Sequence, residues 1–81
     1  MPFHQTGKNG VVFYAGPAAG DGCEWCIRID NITYSPDNLN DAFKQTDLPV
    51  ILQFELTGTT FGCGLGNSQL PVIHITKIKK T

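Results

Sequence analysis

The chain has 81 residues, 41% of them hydrophobic, and seven acidic against six basic residues give it a formal net charge of −1. That length makes one domain with no room for a second core, and the composition is that of a globular chain, not a disordered one. The near-neutral balance argues against a broad electrostatic footprint for nucleic acid or anionic membrane, and no stretch approaches the roughly 18 apolar residues of a membrane span.

Residues 1–81 read as a single small β-barrel domain, with 1–9 as a flexible N-terminal segment. "GVVFYAG", Gly10 to Gly16, is a β-branched and aromatic run bounded by glycines, which predicts a first strand. "PAAGDG" then supplies a connection of small residues. "CEWCIRID" alternates, with Cys23, Trp25, Ile27 and Ile29 on an inward face and Glu24, Cys26, Arg28 and Asp30 on an outward one. Asp30 and Asn31 tolerate left-handed conformations and predict a tight hairpin into "ITYS", so the second and third strands pair antiparallel.

"SPDNLNDAFKQTDLP" differs in character. Asp37, Asn38 and Asn40 are candidate caps, and Leu39, Ala42 and Phe43 fall at i, i+3 and i+4. One short helical turn would set Leu39 and Phe43 onto the core. "PVILQFELT" predicts a strand with Val50, Leu52, Phe54 and Leu56 inward. "GTTFGCGLGNSQLP" reads as a Gly-rich loop carrying Cys63, and "VIHITKIKK", Val72 to Lys80, as a final strand. Five short strands with a helical turn between the third and fourth point to an all-β, five-stranded, OB-like antiparallel barrel, because closure removes the exposed strand edges. An SH3-like barrel or a small sandwich is the rival architecture.

Three cysteines carry most of the chemistry that can be read. A redox C-x-x-C relies on a helix N-terminus to lower the pKa of its first thiol, whereas Cys23 to Cys26 runs into a strand pattern. On a strand the two would face opposite ways with Cα atoms about 10 Å apart at roughly 3.3 Å per residue, beyond the about 7 Å a disulfide tolerates. Zinc could take the three cysteines with His4 or His74, yet Cys63 has no cysteine or histidine within five residues to complete a second half-site. The pairing that fits best is Cys23 with Cys63, leaving Cys26 as a free thiol on the outer face beside Glu24 and Arg28. Such a staple matters in a domain this small, and it implies an oxidising compartment.

The run "GDGCEWCIRIDNITYSPDNLNDAFK", followed by a V-x-L-x-F strand, "CG" and a terminal "IKK", resembles small exported proteins and lipoprotein-type domains of Bacteroidetes, including the NigD-like group. The residues carrying the resemblance are Asp21, Gly22, Cys23, Trp25, Tyr34, Pro36, Asn38 and Leu39, with Cys63 and Gly64 later; Glu24 and Cys26 depart from the pattern. The resemblance implies an OB-type barrel and export to the periplasm or cell surface, and no particular activity. No n-region or h-region precedes the globular sequence, so a leader or lipid anchor would belong to a longer precursor.

Other sites read more weakly. His74 sits in the last strand as a structural histidine, and a Cys26–His74 nucleophile pair lacks an evident orienting acid or oxyanion loop. The glycine loops have no Walker lysine, and a strand follows "GCGLGN" where a phosphate cradle needs a helix. Lys77, Lys79 and Lys80 suit edge protection. Trp25 and Phe54 fall on inward parity, which leaves Tyr14 and Phe61 as the candidate ligand-binding surface. Aromatics without a basic surround favour a sugar or a protein over nucleic acid. The expected function is therefore a non-enzymatic, exported binding or structural module stapled by one disulfide, with no metal and no cofactor. The alternative is a cysteine-dependent redox or zinc-binding protein using Cys23, Cys26 and Cys63.

Overall fold

In the computed structural model the described residues are 7–17, 22–63 and 68–81. They form β1 (Lys8–Tyr14), β2 (Trp25–Ile29), β3 (Ile32–Pro36), a 3₁₀ turn (Asp41–Phe43), β4 (Leu48–Cys63) and β5 (Ser68–Lys80). The strands close into a barrel in the order β1-β2-β3-β5-β4. Four ladders are antiparallel, and β3 meets β5 in parallel through Ser35↔Val72 and Pro36↔Ile73. The five-stranded barrel expected from the sequence is thus present; the antiparallel β2–β3 pair is the ladder specified from sequence, and the closure through β3–β5 is parallel.

Alternation supplies the core. Val12, Ile27, Ile29, Val50, Leu52, Ile73 and Ile75 are buried together, with Trp25, Tyr34, Leu39, Phe43, Leu48, Phe54 and Ile78 packed against them. Each fully buried aliphatic side chain contributes about 1.5–3 kcal/mol. Asp30 and Asn31, at φ 52° and 67°, make the two-residue turn between β2 and β3 in the left-handed conformations such a hairpin needs. The 3₁₀ turn is capped by Asn40, whose Oδ1 accepts from the Ala42 N–H at 2.8 Å. As expected, it delivers Leu39 and Phe43 to the core.

Several sequence expectations are corrected. The first strand begins at Lys8, so Lys8 and Asn9, assigned to a flexible segment, pair with Leu52 and Ile51; residues 1–6 lie outside the described residues. The Gly-rich segment after Thr57 is not a loop up to Cys63, because β4 continues to Cys63 and β5 starts at Ser68. A bulge makes this possible. Between Leu56↔Ile73 and Thr60↔Pro71 the β4 side carries two extra residues, and Gly58 takes φ 84°, which glycine adopts at no steric cost. Thr57 fastens the bulge, its hydroxyl donating to the Val72 carbonyl at 3.2 Å and accepting from the Thr59 N–H at 3.2 Å.

Leu56 is not inward but 65% exposed, since the β1 ladder ends at Leu52 and β4 has left the barrel by that point. A second register shift, between Phe54↔Ile75 and Gln53↔Lys77, adds Thr76 on β5. It turns Ile78 onto the core although Ile78 shares even spacing with exposed His74.

Candidate functional site

Cys23 lies just before β2, at a place where strand geometry breaks. The Ala15 N–H donates to the Glu24 carbonyl at 2.7 Å, while the Ala15 and Gly16 carbonyls accept from the Cys23 and Glu24 N–H groups at 3.3 and 2.9 Å. Two residues, Cys23 and Glu24, therefore face Ala15, and Glu24 takes φ 58°. Gly22 precedes them because a Cβ there would collide with the Gly16 carbonyl. The strand expected to start at Cys23 starts instead at Trp25, so Cys23 is free of the alternation assigned to it.

That break turns Cys23 toward the end of β4. Cys23 and Cys63 form a disulfide with Cα atoms 5.2 Å apart at a sequence separation of 40. Among the described residues no ladder joins β2 to β4, so the bridge is a connection that the sheet does not make. It latches the end of β4, beyond its ladder with β1, to the start of β2 at the mouth of the barrel.

The latch closes one side of a cleft of about 400 Å³. Cys23, Glu24 and Trp25 form one wall, Phe61 and Val72 from the hairpin a second, and Ser35 to Leu39 with Lys44 the floor and far rim. Phe61 is 36% exposed, and Tyr14, 45% exposed, lies outside the cleft with its ring centroid 5.0 Å from that of Trp25. Tyr14 thus meets Trp25, and Phe61 lines the same cleft as Trp25, which packs against the core as expected and also faces the cleft.

The rim is organised by Asp37 and Asn38, residues whose types and position suit helix caps. Asn38 Oδ1 accepts from the Ile75 N–H and its Nδ2 donates to the Ile75 carbonyl, both at 2.9 Å. The side-chain amide thus continues the β3–β5 ladder by imitating a strand. Asp37 accepts from His74 Nδ1 at 3.0 Å, and its own N–H donates to the Ile73 carbonyl at 3.0 Å. The Lys44 ammonium is drawn to Asp41 at 2.9 Å. The cleft consequently offers carboxylates, an amide and aromatic surface, and its one lysine is already paired. Only the sequence distance of 37 residues between these caps and β5 hid the arrangement.

Cys26 is a free thiol, but its expected place on an open outer face is corrected: it is completely buried, with half-buried Phe13 opposite it in the β1 register. Its thiol donates to the Cys23 carbonyl at 3.6 Å, and burial pushes its pKa up from the ordinary thiol value. A Cys26–His74 pair is not assembled, since β3 stands between β2 and β5 and His74 is turned onto Asp37. Two of the three cysteines of any zinc set are consumed by the bridge, and no group of three potential metal ligands occurs among the described residues. His4, Asp21 and Gly64 lie outside the described residues. Comparison with known family models, curated proteins and solved structures finds no match to this chain.

Proposed function

We propose that this chain is an exported, non-enzymatic binding module that seats an uncharged oligosaccharide segment in the cleft beside the disulfide. The observation carrying this reading is the latch itself: a bridge across non-adjacent strands holds Phe61 at a fixed separation from Trp25, pre-forming an aromatic-walled groove. Apolar ring faces suit the C–H faces of a sugar, and the Glu24 carboxylate and the Asp37 oxygen not held by His74 suit its hydroxyls. Lys44, the one lysine lining the cleft, is drawn to Asp41, which favours a neutral ligand over a polyanion. Export is supported by the bridge, which persists in an oxidising compartment, and lipoprotein-type anchoring in a precursor accords with the resemblance to Bacteroidetes domains.

Trp25 is the sole tryptophan and lines the cleft, so its emission reports occupancy directly. Titration with a panel of neutral oligosaccharides should shift that emission saturably for at least one member. Phe61→Ala should weaken the same binding about tenfold, equivalent to about 1.4 kcal/mol. An unmoved Trp25 signal across the panel, or equal affinity in the variant, would refute the assignment.

A further inference from the structure

The binding role leaves Cys26 unused, and the structure sets it in an unusual place: its Sγ is hydrogen-bonded to the carbonyl of a residue whose own sulfur is in the disulfide. That carbonyl oxygen and Cys23 Sγ are only four covalent bonds apart. The objection that a C-x-x-C on a strand points its thiols to opposite faces does not apply here, because the left-handed Glu24 ends the strand between them. We propose that Cys26 is the resolving thiol of an internal thiol–disulfide exchange that unlatches the hairpin from the barrel mouth.

The step is redox-neutral. Cys26 gives up its proton to solvent as the β2 end opens, and the thiolate attacks Cys23 Sγ. A Cys23–Cys26 bond forms as the Cys23–Cys63 bond breaks. The displaced electron pair resides on Cys63 Sγ, which takes up a proton. One disulfide and one thiol are present before and after, so no external oxidant or reductant is consumed. Complete burial keeps Cys26 from foreign disulfides while the β2 end is closed, and when that end opens the bridge at Cys23, whose carbonyl the thiol already contacts, is the adjacent electrophile. The product frees Cys63 and with it the end of β4 bearing Phe61, one wall of the cleft. Control of ligand release by this exchange rests on the cleft being the ligand seat; the exchange itself does not.

The test is covalent and needs no ligand. The native protein is incubated without added thiol, trapped with a maleimide, then cleaved after Glu24 and at Lys and Arg under non-reducing conditions, so that a Cys23–Cys26 bridge appears as two linked peptides. The wild type should yield that pair together with maleimide-labelled Cys63, and Cys26→Ala should lower native labelling of Cys63 by about tenfold or more. Cys63→Ser, oxidised mildly, should form Cys23–Cys26 while keeping its β-sheet circular dichroism. Equal Cys63 labelling in wild type and Cys26→Ala, or two free thiols in oxidised, folded Cys63→Ser, would overturn the proposal. Should Cys63→Ser fail to fold, the Cys26→Ala comparison decides alone. If exchange occurs and no saccharide binds, the cleft assignment falls while the exchange stands.

Discussion

Removing the Cys23–Cys63 bridge should cost this domain a large share of its stability. In the chain-entropy account a closed loop of 40 residues removes about 4 kcal/mol of conformational freedom from the unfolded ensemble. A domain of 81 residues has about 4–12 kcal/mol in all, at roughly 0.05–0.15 kcal/mol per residue. The native side of the balance changes less, because the buried core among the described residues lies in the barrel strands, away from the bridge. The perturbation is the double substitution Cys23→Ser and Cys63→Ser, followed by guanidinium unfolding read by circular dichroism. With a slope of about 2 kcal/mol per molar, the midpoint should fall by about 2 M. The slope should rise, since an uncrosslinked unfolded chain exposes more surface. A chain near the lower end of the range would be unfolded outright at zero denaturant. A midpoint shift below about 0.5 M, with an unchanged slope, would refute the view that the bridge acts by closing this loop.

Further outcomes follow from individual groups. Asn38→Ala removes both hydrogen bonds to Ile75 and should destabilise by about 2 kcal/mol; the Ile75 amide should then exchange faster by hydrogen–deuterium NMR than other core amides. The Cys26 thiol is held neutral by burial, so the native state keeps its proton at a pH where the unfolded state has lost it. Stability is therefore fully present below the ordinary thiol pKa and declines as pH rises toward the raised native value, by at most about 1.4 kcal/mol per pH unit. Denaturant midpoints of wild type and Cys26→Ala should converge over pH 9–11, and parallel curves would contradict this. His74→Ala, by contrast, breaks only an exposed pair with Asp37 and should cost less than about 1 kcal/mol, read as a small shift in thermal midpoint.

The sequence pattern was readable wherever strand alternation ran unbroken inside the barrel. Ile27, Ile29, Val50 and Leu52 all lie buried where period two places them, and Asp30–Asn31 turns where its residue types direct. The Cys23–Cys63 bridge was also legible, by elimination among three thiols. What escaped shares one physical cause: a bulge changes the face of every residue beyond it, and a bulge leaves little mark on composition. Thr57–Thr59 hid the extension of β4, Thr76 hid the inward turn of Ile78, and the left-handed Glu24 hid the release of Cys23 from β2. The Asn38 clamp and the Asp37–His74 contact were obscured differently, because short polar residues before a helical turn look like caps whatever they reach across space.

These irregularities are not scattered. The bulge at Thr57–Thr59 lies where β4 leaves the β1 ladder, and the hairpin beyond it carries Phe61 and Cys63 past the barrel. The break at Glu24 frees Cys23 at the start of β2, the position the hairpin tip reaches. Neither alone would make a cleft: an extended hairpin without the latch is a loose arm, and a turned cysteine without the extension has no partner. Together they set Phe61 across from Trp25. A regular five-stranded barrel would be better packed and easier to read, and it would have no groove. The departures from alternation are what convert a closed, featureless β domain into one with a wall, a floor and a covalent latch that a third thiol is positioned to undo.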